Sequence, residues 1–279
     1  MRLNRRTAIA GGLAGLGLAG LNVRAATAAT PVRIGLSTTL SGPSEFLGRR
    51  QSVAAEIASD YINAKGGIGG RPLEIVIKDD KGDPNQCVAV FREFASEGIN
   101  LIAGPSLTSL CIAATGVTES LDVVMMTPTS PTDSLTHELY NRHFFRLADN
   151  NNARCHALAK AMAENFPDVT TWGGIIVDIS VGHDSWNQFS SGLKTYYKEI
   201  AGKDITILDP QTAKYGSTDF KTQIFKVLQS GAEGVFNLTF GADMATLWKQ
   251  AKTLGLSDRV KVVADAGGEL DFPLTLGKD

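Results

Sequence analysis

From Val32 onward the chain alternates short runs of β-branched and aliphatic residues with longer stretches in which apolar positions recur every three or four residues. The short runs fit strands and the long ones amphipathic helices, and their regular alternation predicts parallel sheets covered by helices, an α/β fold. The predicted strands are residues 32–37, 73–78, 101–103 and 123–126, then 174–177, 205–208, 234–238 and 260–264, two sets of four. Between them Val53, Ile57 and Tyr61 step by four residues, and Met244, Leu247, Trp248, Ala251 and Leu254 form a second stripe. Both stripes are expected to face the core. Asp83-Pro84 reads as the N-cap and first residue of a helix, and Gly231 and Gly255 as helix stops. The run Ala148-Asp149-Asn150-Asn151-Asn152 interrupts the apolar pattern. It places a hinge-like crossover at residues 146–151, with a first lobe over 29–148 and a second over 149–279.

The first residues follow another pattern. Arg5-Arg6 precedes an uncharged stretch of fourteen residues from Ala8 to Leu21, and small residues follow at Ala26-Thr27-Ala28. This layout reads as a cleaved export signal over residues 1–28, and the arginine pair with a Gly/Ala-rich core points to the twin-arginine route. Fourteen apolar residues are too few to span a hydrocarbon core of about 30 Å, so a membrane anchor fits less well. A periplasmic location is the expectation. Removing the signal takes away four arginines and no acid, so 27 basic residues become 23 against 29 acidic, and the net charge moves from −2 to −6. That balance argues against a nucleic-acid partner. The rest of the chain, at 43% hydrophobic and 20% charged over its whole length, has the composition of a globular protein with a sizeable core.

Export permits disulfides, and three cysteines leave at least one unpaired within a monomer. Cys87 and Cys111 each fall near the start of a predicted helix after successive strands. A bridge between them is one reading, and buried free thiols the other.

The residue patterns that usually carry catalysis are missing from the sequence. His137, His143, His156 and His183 lack metal-ligand spacing, and no nucleophile elbow, Walker loop or Cys-x-x-Cys pair is present. Gly66-Gly67-Ile68-Gly69-Gly70 follows a helix and precedes a strand, the reverse of the order that aims helix amides at a phosphate, so it reads as a turn. The adjacent His183-Asp184-Ser185 cannot converge as a triad. No cofactor is expected.

What stands out is a set of polar loops at the carboxyl ends of predicted strands, the edge at which open parallel sheets bind ligands. One runs from Thr38 to Gly48, one carries Ser106, Thr108 and Ser109 into a helix, and one holds Thr127, Thr129 and Ser130. Hydroxyls and helix-start amides suit a carboxylate or another strongly polar group; the same residues also serve as caps and turn formers.

The segments Leu40-Ser41-Gly42-Pro43, Ile62-Asn63-Ala64-Lys65-Gly66-Gly67-Ile68-Gly69-Gly70, Asp79-Asp80, Asp83-Pro84, Gly98-Ile99, Ala103-Gly104-Pro105 and Thr127-Pro128 occur in order. Together they resemble the leucine/isoleucine/valine-binding family of periplasmic receptors, densely in the first lobe and loosely in the second. The resemblance implies a two-lobed type I periplasmic-binding fold, monomeric, that closes on a small-molecule ligand and delivers it to an ABC transporter permease in the inner membrane, without catalysis. It also implies roles by position. Thr108 matches the family's carboxylate-binding Ser, and Thr129 a residue whose backbone meets the ligand. His183 and Phe240 match aromatic walls, Leu47 stands where an aromatic is usual, and Asp265 lies beside the acidic partner of the ligand's ammonium group. Phe46, Leu47, Ser106, Thr108, Thr129, Ser130, His183, Phe240 and Asp265 are the candidate ligand contacts. With Ala266 at the acidic position itself, an amino acid needs Asp265 or Glu269 to fill in, and Phe46, His183, Trp186 and Phe240 would otherwise suit an apolar or aromatic acid. Family members continue well beyond the equivalent of Asp279, so the first lobe is expected to lack its C-terminal return and to leave apolar surface uncovered. A sensory receptor module is the alternative function, and a periplasmic enzyme a more remote one.

Overall fold

A computed structural model describes residues 29–267. The export signal expected over residues 1–28, and Glu269, lie outside the described residues. The first half of the chain folds as β1 (Val32–Thr38), α1 (Glu45–Ala64), β2 (Leu73–Asp79), α2 (Pro84–Ser96), β3 (Leu101–Ala103), α3 (Thr108–Leu121), β4 (Val124–Thr127) and β5 (Phe144–Arg146). Its strands form one parallel sheet in the order β2-β1-β3-β4-β5, and β1 pairs β2 over seven residues, from Val32↔Leu73 to Thr38↔Asp79. The second half folds as α4 (Asn151–Asn165), β6 (Thr171–Val177), α5 (Ser180–Tyr196), β7 (Thr206–Ile207), β8 (Gln211–Ala213), α6 (Lys221–Ser230), β9 (Gly234–Leu238), α7 (Gly241–Thr253) and β10 (Val262–Asp265). It too is parallel, in the order β10-β9-β6-β7, with β8 on the later residues of β6.

The α/β architecture is the expected one. Packing explains why β6 and β9 read as continuous apolar runs: both are buried on two faces. On one side Trp172, Phe189, Phe236 and Tyr197 form an aromatic cluster with α4 and α5, Phe189 and Phe236 stacking with centroids 4.5 Å apart. On the other, Ile175 and Val235 meet Phe220, Ile224 and Leu247 from α6 and α7. In the first sheet Phe91, Phe94, Leu110 and Met125 fill the core under α2 and α3. Alternate residues on the opposite face of β3, β4 and β5, Leu101, Met126 and Phe145, are 48%, 42% and 51% exposed.

Three expectations are corrected. Each sheet has five strands, because β5 and β8 are only three residues long, too short for alternation to register. The Val53/Ile57/Tyr61 stripe points outward, at 54%, 65% and 61% exposure. α1 instead turns its small and polar side to the sheet, where Ser59 Oγ and Asn63 Nδ2 donate to the Leu73 carbonyl and Asn63 Oδ1 accepts from the Leu73 amide. Finally, Cys87 and Cys111 are not bridged. Both are fully buried in the same core, but the Cys87 sulfur lies 3.8 Å from Ser37 Oγ while Cys111 Sγ contacts Ser130 Oγ at 2.7 Å.

Candidate functional site

In the first sheet β2 and β3 lie on opposite sides of β1, and in the second β8 and β9 lie on opposite sides of β6. Such reversals open a crevice at the carboxyl ends of the strands. A cavity of about 500 Å³ is lined from both of these edges. Two glycines set the approach of the helices that follow the central strands. A Cβ on Gly48 would lie 1.8 Å from the Thr39 carbonyl oxygen, and one on Gly182 2.1 Å from that of Val177. Without those side chains, the first turns of α1 and α5 sit against the strand ends and bring Leu47 and Val181 to the cavity.

The floor on the first sheet is a hydroxyl network. Thr38 Oγ1 and Ser106 Oγ both donate to Gln51 Oε1, at 2.7 and 2.6 Å, and Thr129 Oγ1 donates to the Ser106 carbonyl at 2.7 Å. Behind it the fully buried Asp80 carboxylate accepts from Thr39 Oγ1 at 2.6 Å, Ser37 Oγ at 3.2 Å and the Gly82 amide at 3.0 Å, holding the turn whose Gly82 lines the cavity. Burial pushes the Asp80 carboxyl above its ordinary value, against these bonds. Helices α3, α5 and α7 all begin at the cavity, after Leu107, Ile179 and Phe240, and none has a side-chain cap, whereas Asp83 caps α2 by accepting from the Gln86 amide. Uncapped first-turn amides present partial positive charge to the space between the sheets.

Of the residues singled out in the sequence, Leu47, Ser106, Thr108, Thr129 and Phe240 line the cavity, and four do not. Phe46 stands at the lip against Gly241, whose added Cβ would meet its ring at 2.7 Å. Ser130 is buried behind the wall on Cys111. His183 is half exposed and its Nε2 meets Asp178 Oδ1 at 2.7 Å, so the cavity side of that turn is Ile179, Ser180 and Val181. Asp265 Oδ1 accepts from Asn237 Nδ2 at 3.1 Å and the Gly267 amide at 2.8 Å; burial raises its carboxyl, and Ala266 and Gly267 stand at the surface of the cavity in its place.

Among the lining residues that the sequence reading did not single out are Tyr215 and Arg154. Tyr215 follows β8, the strand that was too short to detect; its hydroxyl lies 2.9 Å from Ser44 Oγ, joining the two halves, and its ring packs 5.0 Å from Phe240. Arg154, in α4, is the one charged residue on the cavity wall among the described residues. Its signal was an arginine shortly after the asparagine run, where a crossover was expected but no site. Among the described residues no cluster of His, Cys, Asp or Glu is arranged to hold a metal, and no helix is long and apolar enough to cross a membrane.

A family model described as periplasmic binding protein matches residues 31–278. The leucine-, isoleucine-, valine-, threonine- and alanine-binding protein of Pseudomonas aeruginosa is 32% identical over 235 residues, 83% of this chain and 60% of that protein. The chain thus spans about 60% of the length of the curated relatives it matches. In fold it is similar to a periplasmic binding protein from Burkholderia mallei, with a TM-score of 0.77 at 20% identity, covering 88% of this chain and 63% of that one. It is also similar to an ABC-transporter solute-binding protein from R. palustris in complex with 4-hydroxybenzoate, with a TM-score of 0.75 at 21% identity, covering 88% and 65%.

Proposed function

The chain belongs to the periplasmic binding protein family, and on that premise we propose that it is the exported substrate-binding protein of an ABC transporter, taking a small carboxylate-bearing solute between its two lobes. The observation that carries this reading is the cavity itself. It lies between the carboxyl edges of two parallel sheets, with hydroxyls and uncapped helix starts at its polar end and Leu47, Leu107, Val181, Leu238 and Phe240 as an apolar wall. That combination orients an acid head and encloses an apolar body. The lobes, 29–148 and 149–279, close about residues 146–151, and Tyr215 on Ser44 is one latch. The P. aeruginosa relative, named for leucine, isoleucine, valine, threonine and alanine, and the R. palustris protein, holding an aromatic acid, frame the range of ligands. The closed protein then docks the permease in the inner membrane.

The test is a thermal-shift panel of branched-chain amino acids, aliphatic acids and aromatic acids, followed by calorimetry. A ligand that binds only the native state raises the melting temperature by mass action, and one class is expected to do so. A cooperative melt unmoved by every class contradicts the proposal.

A further inference from the structure

Among the described residues the cavity wall carries one cation and no anion. Arg154 is its only charged residue among those described, and the nearest candidate counter-charge for a ligand ammonium, Asp265, is engaged by Asn237 and by the Gly267 amide. Arg154 is also placed with care. Its Nη2 donates to Asn151 Oδ1 at 2.8 Å, and Asn151 is fully buried. The Asn151 side chain is fixed in turn, donating through Nδ2 to Asp184 at 2.6 Å and accepting at Oδ1 from Ser185 Oγ at 3.1 Å, while its backbone amide donates to the Pro131 carbonyl at 2.7 Å. One end of the guanidinium is therefore anchored at the crossover, yet Nε is buried and has no hydrogen-bond partner. That Nε has no surface open to the cavity, so what an incoming carboxylate meets is the positive charge Arg154 brings to the wall.

Resting on the reading of the cavity as the ligand site, we propose that Arg154 is the specificity-determining residue and that the ligand is a monocarboxylic acid with a compact apolar or aromatic body and no ammonium group. Arg154 brings its positive charge to the carboxylate from the second lobe, while the hydroxyls and amides around Ser106 and Thr108 meet the ligand's polar atoms from the first. A zwitterionic amino acid would bring its ammonium into a wall that holds Arg154 and three helix N-termini and, among the described residues, offers no carboxylate, a like-charge burial that the site rejects. Among small acids, then, this chain discriminates by the amino group.

The experiment is calorimetry on the full chain with matched probes: 4-methylpentanoate, its amide, and leucine, which differs from the acid only by the α-ammonium; and 4-hydroxybenzoate with its amide. The wild-type protein is expected to bind at least one acid about 10- to 100-fold more tightly than its amide, and 4-methylpentanoate more tightly than leucine. Arg154→Gln should lose that acid preference; Arg154→Lys, which keeps the charge, should retain part of it. A cooperative ligand-free melt in either variant shows that the fold is intact. Acids whose preference over amides survives Arg154→Gln overturn the role of Arg154, and leucine binding above 4-methylpentanoate overturns the ligand class, both without touching the binding-protein reading. Failure of every probe to bind the wild-type chain rejects the small-acid reading and this inference with it.

Discussion

Residues that never touch the cavity decide how well it is held. Asp80 is the clearest, a carboxylate with no exposure that ties the end of β1 to the turn after β2. Its carboxyl is raised, so the folded chain holds the proton more tightly than the unfolded one. The group's stabilising contribution is full below its ordinary value of 3.8 and is lost as pH rises through the raised value. Asp80→Asn keeps an acceptor for Thr39 and Gly82 and removes the titration. In urea unfolding the variant should therefore gain stability relative to wild type between about pH 4 and about pH 7. An equal gap at both values would remove Asp80 as the cause. The cysteines make a second residue-scale case. Burial pushes the Cys87 thiol up to about 12 and Cys111 to about 11, so neither forms thiolate near neutrality. A chromogenic disulfide reagent should find no reactive thiol among the three in the native protein and all three after denaturation without reductant. Two missing thiols would restore the bridge.

At the scale of elements, the ends of strands are tied by single side chains. Glu233, just before β9, accepts from the Thr170 amide at 2.8 Å and the Thr171 amide at 3.3 Å and pairs with Lys261 ahead of β10, so it links three strand starts. These partners, Lys261 first, lower its carboxyl to about 2. Its contribution is present above the ordinary 4.5 and is lost as pH falls toward about 2. Glu233→Gln should cost about 1 kcal/mol near neutrality, a gap that closes below pH 4.5 in acid titrations of the denaturation midpoint. A gap that stays constant to low pH would assign the cost to packing. Much of this level was legible in the sequence. β3 and β9 fall where the apolar runs put them, and Asp83-Pro84 opens α2 with the capping bond its residues imply. β5 and β8 were not, because three residues cannot display a period. Nor was the facing of α1: Val53/Ile57/Tyr61 and Ser52/Ala55/Ser59 both recur at helical spacing, and it is the hydrogen bonds to Leu73, invisible without the partner strand, that choose the small face. At the cavity, residues on strand-end loops such as Ser106 and Thr108 were found, whereas Arg154 and Tyr215 come from segments whose packing across the crossover no local pattern encodes. His183 failed by two positions, since one helical turn presents Val181 and not His183 to the cavity.

For the whole molecule, the account rests on two parallel sheets offering their carboxyl edges to one enclosed space, with contacts across it at Tyr215 on Ser44 and Phe46 on Gly241. The apolar residues on the outer face of β3, β4 and β5 lie on the side of that sheet opposite the core under α2 and α3, so they bear on solubility and assembly more than on ligand capture. Occupancy of the space is what the central claim predicts, and a substitution that fills it should abolish binding without harming the fold. The most direct measurement is calorimetric titration of the full chain with 4-methylpentanoate and 4-hydroxybenzoate, wild type beside Ala266→Trp, which enlarges a residue of the cavity wall just after β10. Saturable one-to-one binding in the wild type, absent in a variant that still melts cooperatively, is the predicted result; binding that survives the filled cavity would contradict the account by placing the ligand elsewhere.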